Sequence, residues 1–278
     1  MEVIWITGAG SGLGQHLVGA ALKRGHKVLA SDLDMTSLEA AREAGFWGSR
    51  AVITACDVRD ENAWERALDE ALVAFGSVDR LFNVAGVLKP GYLIDTSEAD
   101  YRFHYDVNVL GALTGARLVA RHMSQQAPKD GYRGHIINIA SMAGLVPVPG
   151  LGLYSSTKFA IRALSITLSH ELKDKQIAVT AVCPDAIDTP MLTLQEDYDE
   201  AAIAFSSKKP LTVADLERGL FGPVLTKRPV EYTIPRSRAV LSKVGNVFPA
   251  LHLRLFDRFI QTGRRNQARV RSKSPRDA

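Results

Sequence analysis

The chain has 278 residues, of which 46% are hydrophobic and 23% are charged. This length and composition allow one large hydrophobic core and exclude a disordered or fibrous protein. The formal net charge of +4 is too small over this length to indicate a general nucleic-acid-binding protein.

The positive charge is concentrated near the C-terminus. Residues 251–278 contain eight Lys and Arg residues against two Asp residues, so this segment carries +6 and the rest of the chain carries −2. We therefore expect any electrostatic partner to contact this segment.

The cysteines and the N-terminus indicate a cytoplasmic protein. Cys56 and Cys183 lie in apolar segments typical of buried strands and are too few for a disulfide framework. The seven histidines are scattered without ligand spacing, so we expect no metal site. Met1 is followed directly by an apolar strand, without the features of a signal peptide, and no apolar stretch reaches the roughly 18 residues of a spanning helix.

Short apolar runs alternate along the chain with segments of helical periodicity, the pattern of a parallel sheet covered on both faces. The predicted strands are Val3–Thr7, Lys27–Ser31, Ala51–Ala55, Arg80–Asn83, His135–Ala140, Ala178–Cys183 and Tyr232–Pro235. A helix ending near Gly25 joins the first two strands, and later helices are predicted at Glu61–Ala74, Ala99–Gln125 and Ser156–Lys173. The fold class is therefore α/β, a doubly wound Rossmann-type domain with a seven-stranded parallel sheet.

The pattern changes after Thr189. Polar and proline-punctuated sequence predicts a substrate lid over about residues 190–230, including a short helix with Thr212 as its N-cap. We assign residues 1–240 to the catalytic domain and residues 241–278 to a C-terminal amphipathic helix and basic tail. In that helix Leu251, Leu255, Phe256 and Phe259 share one face, and the chain beyond Thr262 is expected to be disordered.

A glycine-rich turn follows the first predicted strand and opens the first helix. It reads Thr7-Gly8-Ala9-Gly10-Ser11-Gly12-Leu13-Gly14, and the predicted cofactor contacts are Gly8, Ser11, Gly12, Leu13 and Gly14. A dinucleotide pyrophosphate needs backbone without Cβ atoms and free N–H groups at the positive end of a helix. A glycine-rich match alone is weak, but its position after the first strand favours cofactor binding over a simple flexible turn.

The second predicted strand runs into Asp32. A carboxylate there can accept hydrogen bonds from both hydroxyls of the adenosine ribose, whereas it would repel a 2′-phosphate. Neither the glycine-rich turn nor Leu33 and Asp34 supply a cation for such a phosphate. Asp32 therefore predicts NAD as the cofactor, the alternative being that it only caps a turn.

With these residues, the sequence resembles the short-chain dehydrogenase/reductase family, in its compact single-domain branch, over roughly residues 1–190. The spacing Gly8-x-x-x-Gly12-x-Gly14 is that of the family, and Val84 stands where the family has a second Asn. The resemblance implies further cofactor contacts at Asp57, Val58, Asn83, Ala85, Gly86, Ile187 and Thr189. Asn108, Ser141, Tyr154 and Lys158 fall at the positions of the family's catalytic tetrad, the last two also bordering the cofactor. Each of the four has an ordinary structural explanation alone, but together and in order they are highly specific.

The chemistry supports this assignment independently. Hydride transfer at a carbinol carbon requires a proton to move at its oxygen. Tyr154 can exchange that proton only if a cation lowers its pKa from about 10, and Lys158 lies one helical turn further on the same face. Ser141 would polarise the substrate oxygen. The resemblance implies that Asn108 bends its helix and holds a water that relays protons to Lys158.

The sequence departs from the family pattern at two places. Asp185 follows Pro184 where the family has Gly, either as a turn residue, which we favour, or to tune the polarity of the pocket. In addition, some 40 residues follow Pro235. This extension could lie on an anionic membrane, or it could pack over the pocket or a second subunit, which we favour because Leu and Phe at helical spacing are more often core. Its apolar face, with Leu145, Val146, Val148, Leu151 and Leu153, indicates an apolar substrate pocket.

These observations predict an NAD-dependent oxidoreductase that interconverts a secondary alcohol and a ketone on a hydrophobic, cyclic or steroid-like substrate. The resemblance also implies a homodimer or homotetramer formed through Ala99–Gln125 and Ser156–Lys173. The alternative is a non-catalytic NAD-binding redox sensor or scaffold. An epimerase or dehydratase is less favoured, because those relatives carry a larger C-terminal substrate domain.

Overall fold

The computed structural model describes residues 1–207 and 209–272, apart from the side chains of residues 251–255. Within these residues the strands are β1 (Val3–Thr7), β2 (Lys27–Asp32), β3 (Ala51–Ala55), β4 (Arg80–Asn83), β5 (Gly134–Ile139), β6 (Ile177–Pro184) and β7 (Glu231–Ile234). The α-helices are α1 (Gly12–Lys23), α2 (Met35–Gly45), α3 (Glu61–Phe75), α4 (Glu98–Tyr105), α5 (Ala112–Met123), α6 (Gly152–Glu171), α7 (Pro190–Thr193), α8 (Val213–Gly219), α9 (Leu225–Lys227), α10 (Arg236–Val247) and α11 (Pro249–Arg271).

The described strands form one parallel sheet in the order β3-β2-β1-β4-β5-β6-β7. The doubly wound Rossmann-type fold with a seven-stranded sheet is therefore confirmed. The direction of winding reverses between β1 and β4, and open α/β sheets bind ligands in the crevice at such a point.

Side chains that alternate along β1 build the two faces of the core. Ile4 and Ile6 pack with Leu17 of α1 and Leu216 of α8, whereas Trp5 faces the opposite side. There its ring lies 4.9 Å from that of Trp64 in α3. Both faces of β1 are consequently buried, as the continuous apolar run in the sequence predicts.

The predicted helix Ala99–Gln125 is interrupted in the structure. Helix α4 passes into a π-helical turn at Asp106–Gly111 before α5 begins. This turn contains Asn108, the residue at which the resemblance implies a bend. Helix α2 was not predicted, because only Leu38 and Ala41 of its residues are buried and its apolar periodicity is weak.

The C-terminal helix is longer than predicted. The sequence predicts disorder beyond Thr262, and this prediction is wrong for residues 263–271. These residues are helical, because α11 ends at Arg271. The amide of Gln267 donates to the carbonyls of Gln195, Glu196 and Tyr198 at 2.8–3.0 Å, and Gly263 packs against the Ala202 backbone. Polar side chains thus bind the lid backbone, a role that the composition of this segment does not reveal. Residues 273–278 lie outside the described residues.

The lid is built from short helices, and α8 begins at the predicted cap. Thr212 and Asp215 form a capping box, with the Thr212 hydroxyl accepting from the Asp215 N–H at 3.1 Å. Phe256 of α11 is buried, whereas the side chains of Leu251 and Leu255 lie outside the described residues. Of the helices that the structure describes, none is long and apolar enough to cross a membrane.

Candidate active site and cofactor cleft

A cavity of about 490 Å³ lies at the carboxyl ends of the strands. Residues that follow or end successive strands line it, namely Gly8, Asp32, Cys56, Val84, Ala140 and Asp185. Helix α6 contributes Tyr154 and Lys158, and the lid and C-terminal helices close the remaining side. The sheet therefore brings residues that are far apart in sequence to one crevice, where the fold class predicts a ligand.

The glycine-rich turn fits a dinucleotide pyrophosphate. Gly8 and Gly12 have φ of +67° and +52°, values that favour glycine. A Cβ on Gly14 would lie 2.0 Å from the Gly8 carbonyl oxygen, so only glycine lets α1 start this close to the turn. Ser11 is the N-cap of α1, but its hydroxyl makes no capping hydrogen bond. The N–H groups of this helix end are therefore not capped by its side chain and are suited to bind phosphate oxygens.

The Asp32 carboxylate is fixed at the end of β2. It accepts from the Gly10 N–H at 2.8 Å and from the Asp34 N–H at 3.2 Å, and it lines the cavity. These contacts hold the carboxylate beside the glycine-rich turn, where a ribose with two free hydroxyls fits and a 2′-phosphate would be repelled.

Arg59 is a residue of the cleft that sequence reasoning missed. Its guanidinium bonds the carboxylate of Asp57 at 2.6–3.1 Å and lowers the pKa of that carboxyl group. Both residues line the cavity, as does Val58. The predicted cofactor contact of Asp57 therefore involves a carboxylate already paired with a cation. An Arg two residues after the Asp is the signal that could have indicated this pair.

The segment after β4 is held by the glycine-rich turn and by β5. The Thr7 hydroxyl accepts from the N–H groups of Val84 and Ala85 at 3.0 and 3.1 Å. The Asn83 amide donates to the Asn138 side chain at 2.8 Å, a second Asn that sequence reasoning did not single out. Val84, in place of the expected Asn, packs against the hydrophobic core.

Asn108 is buried behind the cavity wall rather than lining it. Its amide nitrogen donates to the Val87 carbonyl at 2.9 Å and to the Thr157 hydroxyl at 3.1 Å, while its oxygen accepts from the Val87 N–H at 2.8 Å. A Cβ on Gly86 would lie 3.2 Å from the Asn108 oxygen and 3.6 Å from the Lys158 nitrogen. Asn108 thus fixes the loop after β4 close to Lys158.

Ser141, Tyr154 and Lys158 meet at the cavity. Ser141 follows β5, its hydroxyl accepts from the Ala143 N–H at 3.1 Å, and it lies close enough to the Tyr154 hydroxyl to lower the pKa of that phenol. The Lys158 ammonium donates to the Ile139 carbonyl at 2.9 Å. It lies 5.4 Å from the centre of the Tyr154 ring. All three of these side chains belong to residues that line the cavity.

The pKa values of this group differ from the sequence expectation. Burial raises the pKa of Tyr154 to about 12, against the opposing effect of the Ser141 hydrogen bond. Burial also lowers the pKa of Lys158 to about 8. The expected lowering of the Tyr154 pKa by Lys158 is therefore not found with the protein groups alone. The physical reason is that desolvation of the phenolate dominates.

Asp185 does not serve as a turn residue with positive φ. Its carboxylate lies 2.7 Å from the guanidinium of Arg238 in α10, and both side chains border the cavity. Burial raises the pKa of Asp185, and Arg238 opposes that rise. The favoured turn interpretation is therefore wrong, because this residue pairs with the C-terminal extension.

The rest of the cavity wall is mainly apolar. Ile187 and Thr189, the predicted cofactor contacts after β6, line it. The apolar lining includes Met142, Val146, Val148, Leu151, Met191, Leu192, Ile203, Leu241, Phe256 and Phe259. Leu145 and Leu153, also expected there, are buried outside this lining. Phe256 and Phe259 show that the extension packs over the pocket, the interpretation favoured from sequence.

Comparison with known proteins gives consistent results. A family model described as short chain dehydrogenase matches residues 2–199. The 3-alpha-(or 20-beta)-hydroxysteroid dehydrogenase of Mycobacterium tuberculosis is 32% identical over 216 residues, covering 77% of this chain and 80% of that protein. The diacetyl reductase [(S)-acetoin forming] of Staphylococcus epidermidis is 32% identical over 214 residues, covering 73% and 82%.

A solved structure extends this similarity to most of the fold. It is a short chain dehydrogenase/reductase from Burkholderia phymatum in complex with NAD, 25% identical, with a TM-score of 0.76. The match covers 90% of this chain and 95% of that one. The bound NAD agrees with the fit of the glycine-rich turn and Asp32 to a nicotinamide dinucleotide.

Proposed function

Because the chain belongs to the short-chain dehydrogenase/reductase family, we propose that it interconverts a secondary alcohol and a ketone with NAD through Tyr154, Ser141 and Lys158. One observation carries the proposal. The glycine-rich turn and Asp32 border the same cavity as Ser141 and Tyr154, so a cofactor and a substrate oxygen can meet there. An oxidoreductase acting on CH–OH groups is the class that the family supports.

The nicotinamide ring of the bound cofactor supplies or accepts the hydride. Gly8, Gly12 and Gly14 would hold its pyrophosphate, and Asp32 would hold the adenosine ribose. Asp32 also supports a preference for NAD over NADP, because its carboxylate would repel a 2′-phosphate. Arg59, the nearby cation, is already paired with Asp57 at 2.6 Å.

The protein side chains carry out the proton transfer. With a pKa raised to about 12, the Tyr154 phenol is protonated near neutral pH. It can therefore donate its proton to the ketone oxygen as the carbonyl carbon receives the hydride, which leaves Tyr154 as a phenolate; in the oxidation, the phenolate form of Tyr154 accepts the proton of the alcohol. Ser141, which lines the cavity together with Tyr154, would orient the substrate oxygen. Asn108 acts indirectly, by holding the Val87 backbone beside Lys158.

The substrate is proposed to be bulky and apolar, such as a cyclic or steroid-like alcohol or ketone. Phe256, Phe259 and Leu241 of the C-terminal helices line the cavity and support this class. The relatives named above include a hydroxysteroid dehydrogenase and a diacetyl reductase, so the family alone does not select a substrate size.

We also propose that the protein is a cytoplasmic homodimer or homotetramer. Two free, buried cysteines support a reducing compartment. Tyr101 and Leu110, on or next to the helices expected at the interface, are 43% and 53% exposed, which leaves apolar surface for a second subunit. Membrane contact is not part of the proposal, because Phe256 and Phe259 line the cavity rather than an outer face.

The direct test is nicotinamide absorbance of purified protein offered NAD or NADP with secondary alcohols from small aliphatic to steroidal, and the reduced cofactors with the matching ketones. We expect turnover with NAD that Tyr154→Phe abolishes while cofactor binding persists. NAD binding without turnover across the whole panel would instead identify a sensor or scaffold and contradict the enzymatic function.

A further inference from the structure

The two departures from the family pattern, Asp185 and the C-terminal extension, are in direct contact. One nitrogen of the Arg238 guanidinium lies 2.7 Å from the Asp185 carboxylate, and the other donates to the Ser206 hydroxyl at 3.0 Å. These residues come from the end of β6, from α10 and from the lid, and all three line the cavity. One side chain thus joins three separate parts of the pocket wall.

The ion pair is partly shielded from solvent, mainly on the side of Asp185. The side chains of Asp185 and Arg238 are 15% and 35% exposed. Removal of one partner from such a pair leaves an uncompensated charge in a poorly solvated place, which costs more than the pair itself contributes. The carboxylate at position 185 therefore requires a cation at position 238, and this requirement keeps α10 against the end of β6.

The position of α10 determines the position of the apolar part of the cavity wall. Leu241 and Ser242 follow Arg238 by less than two helical turns and line the cavity. Helix α11 then returns over the lid, where Phe256 and Phe259 complete the wall. Its far end is fixed separately, since the Gln267 amide donates to three lid carbonyls. Arg238 is thus the polar anchor at the near end of this wall.

We propose that Arg238 is a specificity-determining positioning residue, which holds the C-terminal helices against Asp185 and Ser206 so that they form the binding wall for a bulky apolar substrate. The inference rests on the proposed function and adds to it the residue that positions the wall for its substrate. Small alcohols and ketones, which do not need to contact this wall, would depend little on Arg238.

The experiment compares Arg238→Ala with Arg238→Lys and Asp185→Asn, using Arg236→Ala as the matched control. Arg236 lies in the same helix and is exposed. Steady-state kinetics with NAD would be measured for one small aliphatic and one steroidal alcohol. For Arg238→Ala we expect about a tenfold or greater rise in KM for the steroidal substrate, with kcat and the small-substrate constants changed less than about twofold. Arg238→Lys should recover part of the loss, because it keeps the charge but lacks the rigid guanidinium fork that holds both partners.

A second readout does not require turnover. Hydrogen exchange of the backbone of α10 should be faster in Arg238→Ala and Asp185→Asn than in Arg236→Ala. Equal exchange in all three variants, or equal effects on small and steroidal substrates, would overturn the specificity role. If the wild-type protein turns over no substrate, the proposed function fails, while the exchange experiment still decides whether Arg238 positions the helices. If Arg238→Ala does not fold, Arg238→Lys and Asp185→Asn carry the same comparison.

Discussion

The Lys158 ammonium lies beside the ring of Tyr154, 5.4 Å from its centre, and donates to the Ile139 carbonyl. In this arrangement burial raises the pKa of Tyr154 to about 12, against the lowering effect of Ser141. The Tyr154 phenol is therefore protonated near neutral pH.

This arrangement predicts the titration of Tyr154 in the cofactor-free protein. Because the pKa is raised to about 12, the Tyr154 phenol stays protonated over the range in which an ordinary tyrosine ionises, around pH 10. The phenolate absorbance of the wild type and of Tyr154→Phe should therefore rise together up to about pH 10. An extra phenol ionising below that pH in the wild type would contradict the assignment.

A second prediction concerns the choice of cofactor. Asp32→Ser should increase kcat/KM with NADP relative to NAD by about tenfold, because it removes the repulsion of a 2′-phosphate. Asp69→Ser removes the same charge from an exposed position of α3 and serves as the control. An unchanged NADP/NAD ratio in Asp32→Ser would show that this carboxylate does not contact the ribose.

A third prediction compares two glycines of α1, one that contacts the glycine-rich turn and one that does not. A Cβ at Gly14 would lie 2.0 Å from the Gly8 carbonyl oxygen, whereas a Cβ at Gly19 meets nothing within 4 Å. Gly14→Ala should therefore destabilise the protein and weaken NAD binding. Gly19→Ala should leave binding unchanged and stabilise α1 by about 0.5–1 kcal/mol.

Urea unfolding and NAD titration of both variants measure these effects. Normal NAD affinity in Gly14→Ala would argue against the close approach of α1 to the turn.

A fourth prediction is a pH-dependent stability loss in Arg238→Ala. Burial raises the pKa of Asp185 above its ordinary value, and Arg238 opposes that rise, so its removal raises the pKa further. The folded variant then binds a proton more tightly than the unfolded chain. Its free energy of unfolding should therefore fall, relative to the wild type, as the pH rises from the unfolded-state pKa through the folded-state pKa.

We expect a loss of about 1–3 kcal/mol at neutral pH, below that of a fully buried pair because Arg238 is 35% exposed. At about pH 4 the loss should be smaller, since Asp185 becomes protonated. Urea unfolding at both pH values checks this, with Arg236→Ala as the control. An equal loss at the two pH values would exclude Asp185 as its source.

Local patterns in the sequence determined the sheet and most of the candidate site. The bounds of β1, β3 and β4 follow from apolar runs between turn residues, because parallel strands are buried on both faces. The glycine-rich turn and the Tyr154–Lys158 spacing are also local, since one helical turn places two side chains on the same face whatever the rest of the chain does.

Contacts between distant segments were decided only by the tertiary structure. Asp185 was interpreted as a turn residue because its partner, Arg238, is remote in sequence. Gln267 lies in a polar segment that composition marks as disordered, yet it binds lid carbonyls some 70 residues away. The pKa of Tyr154 likewise depends on burial by the whole fold. Periodicity in the sequence indicates which face of a helix is apolar. The partner of a polar side chain depends instead on how distant helices, strands and loops pack against each other, and local sequence does not contain that information.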